Sequence, residues 1–587
     1  MDCVAVLANL ALDAPDTELT AFNETDTAFF DSVSVRLEEG ATPAAAIRSA
    51  LACLDDACRF SASLAKRLLC LFEQVNALGP SPCGFRADTS FAQSSVSVDI
   101  TAKTELDEKE EALERSLSPH ALFCVNDSSF GRDSLSVGAS TVYHRARVCS
   151  ALSFAVKLLR VAADHFVSAE TPSDSFVLVW WYRMRALRLH QSLLRHPQLE
   201  LRDEMDKCVA QLRQKESEMS AELRAMLLIE CTLSDETYFR AEEIEKNAQD
   251  VKELLQLQVA FNGESGRRTR FQKFDTTQLV CDATPAHSVE EKPMHFKFDR
   301  DTGDRLQEVS NALPRHVPLE DEVLRRRPFY TNRDVLNEAV PLSPLEQAVL
   351  LAQRAVLLQK HTAGDMTREE RRAITERVCL HPTHWALARA ALTERSVVES
   401  DDRGCAIRAV TQFESLVLDY EGDAIDVHGR AVARDVAEGG VRRLQWLFVV
   451  PLMTHWQLRT KLADILLSAG MAKSAIDTFL TMEMWHDAVK AYIRTDKLDT
   501  EAGYLRALPA YADSNDSADD TTDDTTGDAT GDTDGAIADD TTDDTTDDTD
   551  GAVADDVDDV DAGELEEQKP RWRHVCLQGE WTRRQKA

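Results

Sequence analysis

A glycine-containing stretch followed by basic residues is the first pattern in the sequence that could do chemistry. Gly263-Glu-Ser-Gly266 is followed by Arg267, Arg268 and Thr269. A phosphate-binding loop needs four residues between its glycines, and then Lys and Ser or Thr. Here two residues intervene, and Arg267 stands where the lysine would be. We interpret the stretch as a basic loop whose arginines pair with acidic residues of the protein body, and we predict no nucleotide or other cofactor.

Two histidines and two tryptophans are the next candidates for ligand binding. His381 and His384 flank Pro382, a spacing that two metal ligands could have, but no third ligand lies nearby in the sequence. A junction between two helices explains them better. Trp180 and Trp181 could stack on a ligand, but their apolar surroundings favour a buried helix in which at least one is a core residue.

The cysteines do not form a reactive or metal-binding pattern. There are 13 of them, scattered singly and mostly in apolar runs, with no Cys-x-x-Cys pair. This pattern indicates reduced, buried thiols in the cytoplasm, and also in the nucleus. No Gly-x-Ser-x-Gly or His-Glu-x-x-His motif is present. We therefore predict no catalytic, cofactor-binding or metal-binding residues, and a protein that is not an enzyme.

Charge is distributed unevenly along the chain. Residues 513–567 contain 21 Asp and 3 Glu without Lys or Arg, and residues 568–587 carry a net charge of +5. Since the whole chain has a net charge of −36, residues 1–512 carry −17. An acidic body has no net attraction for phosphates, so no direct nucleic-acid partner is expected.

The acidic tract has three interpretations. A low-complexity Asp/Thr segment cannot bury apolar surface and is predicted to be a disordered, solvated tail. It could instead bind basic clients, as the tails of acidic chaperones do. Asp548-Thr-Asp550-Gly551 is a fragment of a calcium-binding loop, but residue 546 is Thr and no flanking helices are predicted.

The elements that hold these residues are predicted to be helices. Glycine (22) and proline (18) are scarce, and apolar residues recur at helical spacing in most of residues 1–512. One long helix is predicted over 201–230 and another over 430–449, and Thr367 to Glu370 read as a capping box that opens a helix. Neither the N-terminus nor any apolar run indicates a signal peptide or a membrane span.

Serial pairs of short helices predict an all-α protein, an α-solenoid of degenerate tetratricopeptide-like hairpins. An extended middle segment with little regular structure is predicted to pack along the body, and a disordered acidic tract follows the solenoid. The predicted regions are an N-terminal helical region (1–85), a loop-rich, partly disordered insert (86–140), a helical region (141–260), the extended segment (261–342), the solenoid (343–512), the acidic tract (513–567) and a basic tail (568–587).

The most informative spacing lies between residues 456 and 508. Small residues are placed where two helices of a hairpin would cross, larger apolar residues surround them, and a glycine stands where the first helix must end. By spacing alone, the segment is either a tetratricopeptide-type hairpin or another helical repeat. The residues predicted to pack this repeat are Leu462, Ala463, Leu466, Gly470, Ala475, Phe479, Trp485, Ala488 and Tyr492.

The same segment resembles the tetratricopeptide repeat protein 27 family. Residues 442–508 share the Leu-Ala pair, the glycine turn and the "EMW" pattern of a segment that directly precedes the main repeats of that family. The blocks at 265–282 and 343–392 also resemble it, and the block at 179–194 does so more weakly. The family continues into several well-formed C-terminal repeats, which are missing here, where the Asp/Thr tract follows.

The resemblance implies a non-catalytic scaffold or chaperone-type assembly cofactor for large complexes, including spliceosomal ribonucleoprotein, with cell-wall integrity as a further association in fungi. The implied partners are other proteins, namely subunits of large complexes or chaperones, and no membrane. The alternative function is that of an acidic-tailed chaperone that binds basic clients.

Overall fold

A computed structural model of the chain describes residues 2–12, 23–54, 56–78, 130–138, 140–166, 173–269, 271–285, 297–298, 305–306, 313–314, 316–317, 324–330, 340–360, 364–402, 404–421, 424–425, 431–432 and 443–494. The chain divides into two units, Met1–Ala518 and Asp519–Ala587, and the described residues all lie in the first. The predicted acidic tract, the basic tail and most of the predicted insert at 86–140 fall outside the described residues.

Nine α-helices precede residue 256 in the part of the chain that the structure describes, and local sequence accounts for the caps of several of them. Thr42 accepts a hydrogen bond from the N–H of Ala45 and precedes a proline, while Asn23 and Asp26 form a capping box. The helices are α1 (Cys3–Ala11), α2 (Glu24–Glu38), α3 (Pro43–Leu51), α4 (Ala57–Glu73), α5 (Cys149–Phe166), α6 (Ser173–Ser192), α7 (Leu199–Arg213), α8 (Ala221–Thr237) and α9 (Ala241–Leu255).

The single long helix predicted over 201–230 is wrong, because two helices occupy this range. A short 3-10 turn at Glu216–Glu218 follows α7, and Ser220 then caps α8 by accepting a hydrogen bond from the N–H of Leu223. Apolar periodicity continues through the break, but the serine cap starts a new helix. Helix α7 packs against α6, and α8 packs against α9.

A small β-sheet replaces much of the segment that was predicted to have little regular structure. Its central strand is β1 (Gln258–Thr269), which pairs antiparallel with β2 (Thr276–Thr284) and, at its far end, with β5 (Leu324–Tyr330). Along the end of β2, buried Cys281 and Ala283 alternate with exposed Asp282 and Thr284, as expected for a strand with one covered face. Short two-residue strands make two further ladders: β3 (Lys297–Phe298) with β4 (Arg305–Leu306), and β6 (Ala424–Ile425) with β7 (Ala431–Val432).

Seven helices complete the described part of the chain. These are α10 (Pro344–Lys360), α11 (Asp365–Leu380), α12 (Trp385–Glu399), α13 (Ala406–Glu421), α14 (His455–Ser468), α15 (Ala472–Thr481) and α16 (Trp485–Arg494). The predominance of helices confirms the predicted all-α solenoid class.

Two local predictions in this half are wrong. Helix α11 begins at Asp365 rather than at a capping box from Thr367, which is a buried residue inside the helix. The helix predicted over 430–449 has wrong bounds: strand β7 lies at its start and a 3-10 turn, Leu447–Val449, at its end, while residues 443 and 444 are helical and 433–442 lie outside the described residues.

The N-terminal helices pack back onto the second half of the chain. A π-helical turn, Gln74–Leu78, continues α4, and its carbonyl groups accept hydrogen bonds from side chains far along the sequence. Tyr420 Oη donates to Val75 O (2.8 Å), and Arg443 Nη1 donates to Leu78 O (3.0 Å). Arg389 Nη1 donates to Ala77 O. One apolar core runs from α1 to α12 and includes apolar residues of 444–450, Trp456 and Met482. A second one lies within α13–α16, and a small third one joins α9 and α10.

Candidate functional site

The residues predicted to pack the repeat lie together in α14–α16. Ala463 in α14 and Ala475 in α15 are both 0% exposed, where the two helices cross. Leu462, Leu466 and Phe479 are buried around them. They share an apolar cluster with residues of α13, including Val410 and Phe413.

Gly470 ends α14 in the left-handed conformation that the sequence predicts there. Its φ is +82°, and the next residue, Met471, donates its N–H to Leu466 O at 2.8 Å. This bond satisfies a carbonyl that the helix itself leaves unpaired. The turn therefore sets the geometry of the α14–α15 hairpin.

The following helix repeats the arrangement. Ala488 and Tyr492 of α16 are buried in the same cluster. Trp485 is the first residue of α16, but its side chain is outside the described set. The end of α15 is held by the loop before α5, where Tyr143 Oη donates to Met482 O and Arg145 Nη2 donates to Thr481 O (2.9 Å).

A cleft between α6, α7, α8 and α9 is a candidate site that the sequence did not predict. It encloses about 230 Å³. Its apolar lining includes Met184, Met205, Val209 and Cys231. The charged and polar lining residues are Arg202, Asp206, Arg213, Ser234, Asp235, Tyr238, Arg240, Glu243, Lys246 and Asn247.

The acidic residues of this cleft are engaged by one arginine. Arg240 lies 2.8 Å from Asp206 Oδ1, 3.4 Å from Asp235 Oδ1 and 3.4 Å from Glu243 Oε1. Asn247 Nδ2 donates to the other oxygen of Asp235 at 3.2 Å. Burial raises the pKa of Asp235 to about 6 even though Arg240 opposes the shift.

Two cations of the cleft are not engaged in this way. Arg213 and Lys246 are exposed and make no hydrogen bond or ion pair in the described part of the chain, but the charge of Arg213 opposes the rise in the pKa of Asp235. Sequence reasoning missed this cleft because charges on α7 and α9 are typical of solvated helix faces. The sequence signal that could have drawn attention to the cleft is Phe239, an aromatic residue just after a helix end, at a position where glycine is common.

The glycines that resemble a phosphate-binding loop lie in strand β1. A Cβ on Gly263 would lie 2.7 Å from Thr277 Cγ2 of the paired strand, so this glycine permits close approach of the two strands. Arg267 Nε donates to Asp275 Oδ1 at 2.5 Å. The acidic partner of Arg267 is a residue of the body, as predicted, but Arg267 lies in a strand and not in the predicted loop.

The histidines and tryptophans that the sequence offered as possible ligands lie at a helix junction and in the buried core. His381 follows α11 and His384 precedes α12, so the pair spans a helix junction. Both tryptophans are buried, and Trp181 Nε1 donates to Glu230 Oε1 at 3.1 Å. Within the described ranges, no group of three or more His, Cys, Asp or Glu side chains could hold a metal ion.

Several thiols are too deeply buried to act as nucleophiles. Burial raises the pKa of Cys58 to about 11 and that of Cys281 to about 12, so both stay protonated at neutral pH. Among the helices that the structure describes, none is both long and apolar enough to cross a membrane.

Curated proteins with tetratricopeptide names are similar to this chain. A TPR repeat-containing protein of Schizosaccharomyces pombe is 25% identical over 347 residues, 54% of this chain and 42% of that protein. A tetratricopeptide repeat protein 27 homolog of Dictyostelium discoideum is 25% identical over 271 residues, 46% of this chain and 29% of that protein. A tetratricopeptide repeat-containing protein of Caenorhabditis elegans, trd-1, is 23% identical over 404 residues, 65% of this chain and 47% of that protein.

The chain spans less than half the length of each of these curated relatives. No protein-family model matches the chain. No solved structure matches it either. The identities and the packing of α14–α16 together confirm the resemblance predicted from the sequence, which is to proteins of the tetratricopeptide repeat protein 27 type.

Proposed function

We propose that this protein is a non-catalytic scaffold that holds other proteins during the assembly of large complexes, with spliceosomal ribonucleoprotein as one candidate. The observation that carries the proposal is the hairpin packing of α14–α16, around Ala463 and Ala475. The names of the similar proteins, which describe tetratricopeptide repeats, support it. We place the protein in the cytoplasm, with the nucleus as a second compartment.

The physical basis is the shape of stacked helical hairpins. Each hairpin buries one face against its neighbours, and the inner helices remain side by side as an elongated surface. Such a surface accepts a helix or an extended segment of a partner. On α14 and α15, the exposed residues Asp464, Met471 and Lys473 are available for contact.

The test is affinity capture from cell extract with quantitative mass spectrometry. The baits are the full chain, the chain without 513–567, and the full chain with Ala475→Leu, which overfills the crossing of α14 and α15. Capture of the same complex subunits or chaperones by the first two baits, with loss in the third, supports the scaffold. The matched control is Ala472→Leu at a half-buried position of α15. Equal capture by all four baits would show that the hairpins do not bind these partners.

A second candidate function follows from the charge of the tract at 513–567. Its 24 acidic residues without Lys or Arg favour an acidic chaperone for basic clients. Core histones are the probe, titrated at low and high salt against the full chain and the chain without the tract. Salt-sensitive histone binding that needs the tract supports this function. Histone binding that survives removal of the tract contradicts it.

A further inference from the structure

We propose that the groove between α12 and α13 binds an extended segment of a partner protein, and that residues 313–314 and 316–317 of the chain itself occupy this groove as a competitor. These residues are called the internal segment. The proposal rests on the scaffold function and adds to it a partner site with its own regulation. Because the groove is not part of the α14–α16 hairpins, the two sites can be tested separately.

The internal segment is attached to two neighbouring helices, although it lies in neither a helix nor a strand. Leu313 is buried, with 5% of its surface exposed. The N–H of Val317 donates to Oε1 of Gln412, on α13, at 2.7 Å. Nε2 of His316 forms a hydrogen bond with Nη1 of Arg395, on α12. Since α12 packs against α13, the internal segment spans the groove between them, as a bound peptide does.

These contacts define the partner segment that the groove accepts. A glutamine oxygen that accepts a main-chain N–H recognises an extended backbone, whatever the side chain of that residue. Arginine only donates, so the ring nitrogen of His316 that it contacts is an acceptor. Leu313 supplies an apolar anchor three residues before this acceptor. The partner segment is therefore extended, with an apolar residue followed three positions later by an acceptor side chain and four positions later by a free N–H.

The polar side chains of the groove are held by contacts that do not involve the internal segment. Nε of Arg395 donates to Oε1 of Glu399 at 2.8 Å, and Nε of Arg408 donates to Oε2 of Glu399 at 2.9 Å. This arrangement joins α12 to α13, and Glu399 is almost fully buried. Gln412 is also buried. The groove therefore keeps its shape when the internal segment leaves, which lowers the entropy cost of binding a partner segment.

The internal segment sets the affinity that a partner needs. A competitor that is part of the same chain acts at an effective concentration on the order of 1 mM. Partner segments that bind weakly are excluded from the groove, and those that bind more tightly displace the internal segment. The contact is therefore autoinhibitory, and it makes the scaffold selective for partners with the matching pattern of side chains.

The experiment is fluorescence anisotropy with the full chain and a labelled peptide with the sequence of residues 311–319, NALPRHVPL. Leu313→Asp in the protein removes the apolar anchor of the internal segment. It should raise the affinity for the peptide about tenfold, the change expected if the groove is open in about a tenth of the wild-type molecules. Leu199→Asp, at an exposed leucine at the start of α7, is the matched control and should leave the affinity unchanged.

A change in the peptide separates binding from folding, because it leaves the protein intact. N-methylation of the valine that matches Val317 removes its N–H and should weaken binding to the Leu313→Asp chain about fivefold. Gln412→Leu in that chain should cause the same loss. Since both changes remove one hydrogen bond, the two together should weaken binding no more than either does alone. Additive losses would show that Gln412 does not accept from this N–H and would overturn the proposed register.

The proposal is overturned if the wild-type and Leu313→Asp chains bind the peptide equally, because the internal segment then does not occupy the site of the peptide. It is also overturned if neither chain shows saturable binding up to about 1 mM. If Leu313→Asp lowers the melting temperature, the milder Leu313→Ala should still raise the affinity. Failure of peptide binding while the α14–α16 hairpins still capture complex subunits removes this proposal and leaves the scaffold function standing.

Discussion

Glu73 is the residue at which burial and charge conflict most directly. It ends α4, is 5% exposed and lies close to Arg188 and Arg389. Removal from water disfavours its ionised form more than the two arginines favour it, and burial raises the pKa of Glu73 to about 7 from an ordinary value of 4.5. The protonated carboxyl is therefore the form that folding prefers.

This preference predicts a pH dependence of stability. Between pH 4.5 and pH 7 the folded chain binds more protons at Glu73 than the unfolded chain does, so stability falls as the pH rises through this range. Glu73→Gln should remove this slope and stabilise the protein at pH 8 by about 1–3 kcal/mol, with a smaller gain at pH 5. Thermal melts of both proteins between pH 5 and pH 8.5 measure the effect.

Glu222→Gln is the control for this substitution, because Glu222 is an exposed glutamate in the first turn of α8. It should change the melting temperature little at any pH. A Glu73→Gln protein that tracks the wild type at every pH would show that Glu73 stays ionised in the folded state.

At the scale of the element, the sequence predicts what is set by neighbouring residues. The packing positions of α14 and α15 could be predicted because small and large apolar residues and one glycine occur at fixed spacing within one hairpin. The separate helices α7 and α8 could not, since a common apolar period runs through both. The β1–β2 sheet was missed because its strands are short of apolar residues and gain their burial from helix α11.

The hairpin of α14 and α15 yields a prediction about local stability. Phe479 is buried in the cluster shared by α13–α16, and Phe479→Ala leaves a cavity there. The expected loss is about 3–5 kcal/mol. Since this cluster is separate from the core of α1–α12, amide exchange should accelerate in α14–α16 much more than in α4–α6.

Lys473→Ala, on the same helix but exposed, is the control and should leave exchange in α14–α16 unchanged. Uniform acceleration throughout the chain would mean that the two clusters unfold as one unit.

At the scale of the molecule, hydrogen bonds between residues far apart in the sequence hold the N-terminal helices against the second half of the chain. No local pattern predicts these bonds. Arg443 bonds Leu78 O, 365 residues away, and also Asp419 Oδ1 at 3.1 Å. Arginine is ordinarily a surface residue, so sequence alone gives no reason to place Arg389 and Arg443 in the interior. Stacking of both guanidinium groups on Trp385, at 4.9 and 4.7 Å from the ring centre, adds to their fit.

Arg443→Ala tests the contribution of these long-range hydrogen bonds to stability. It removes the donor to Leu78 O and a cation next to the buried Asp419, a change that costs about 3–5 kcal/mol for a buried pair. Amide exchange in residues 57–78 should accelerate although the substitution is in the second half of the chain. Lys461→Ala, on the surface of α14, should not affect these amides. Unchanged exchange in 57–78 would show that the apolar core alone holds the N-terminal helices.

Because the chain is synthesised from its N-terminus, Leu78 is made long before its partner Arg443. A ribosome that adds about 5–20 residues per second needs about 20–70 s to pass from Leu78 to Arg443. Throughout that interval the carbonyl groups at the end of α4 lack their final donors, and the apolar faces of the first helices lack their covering layer. During synthesis the chain therefore exposes apolar surface that the folded protein buries.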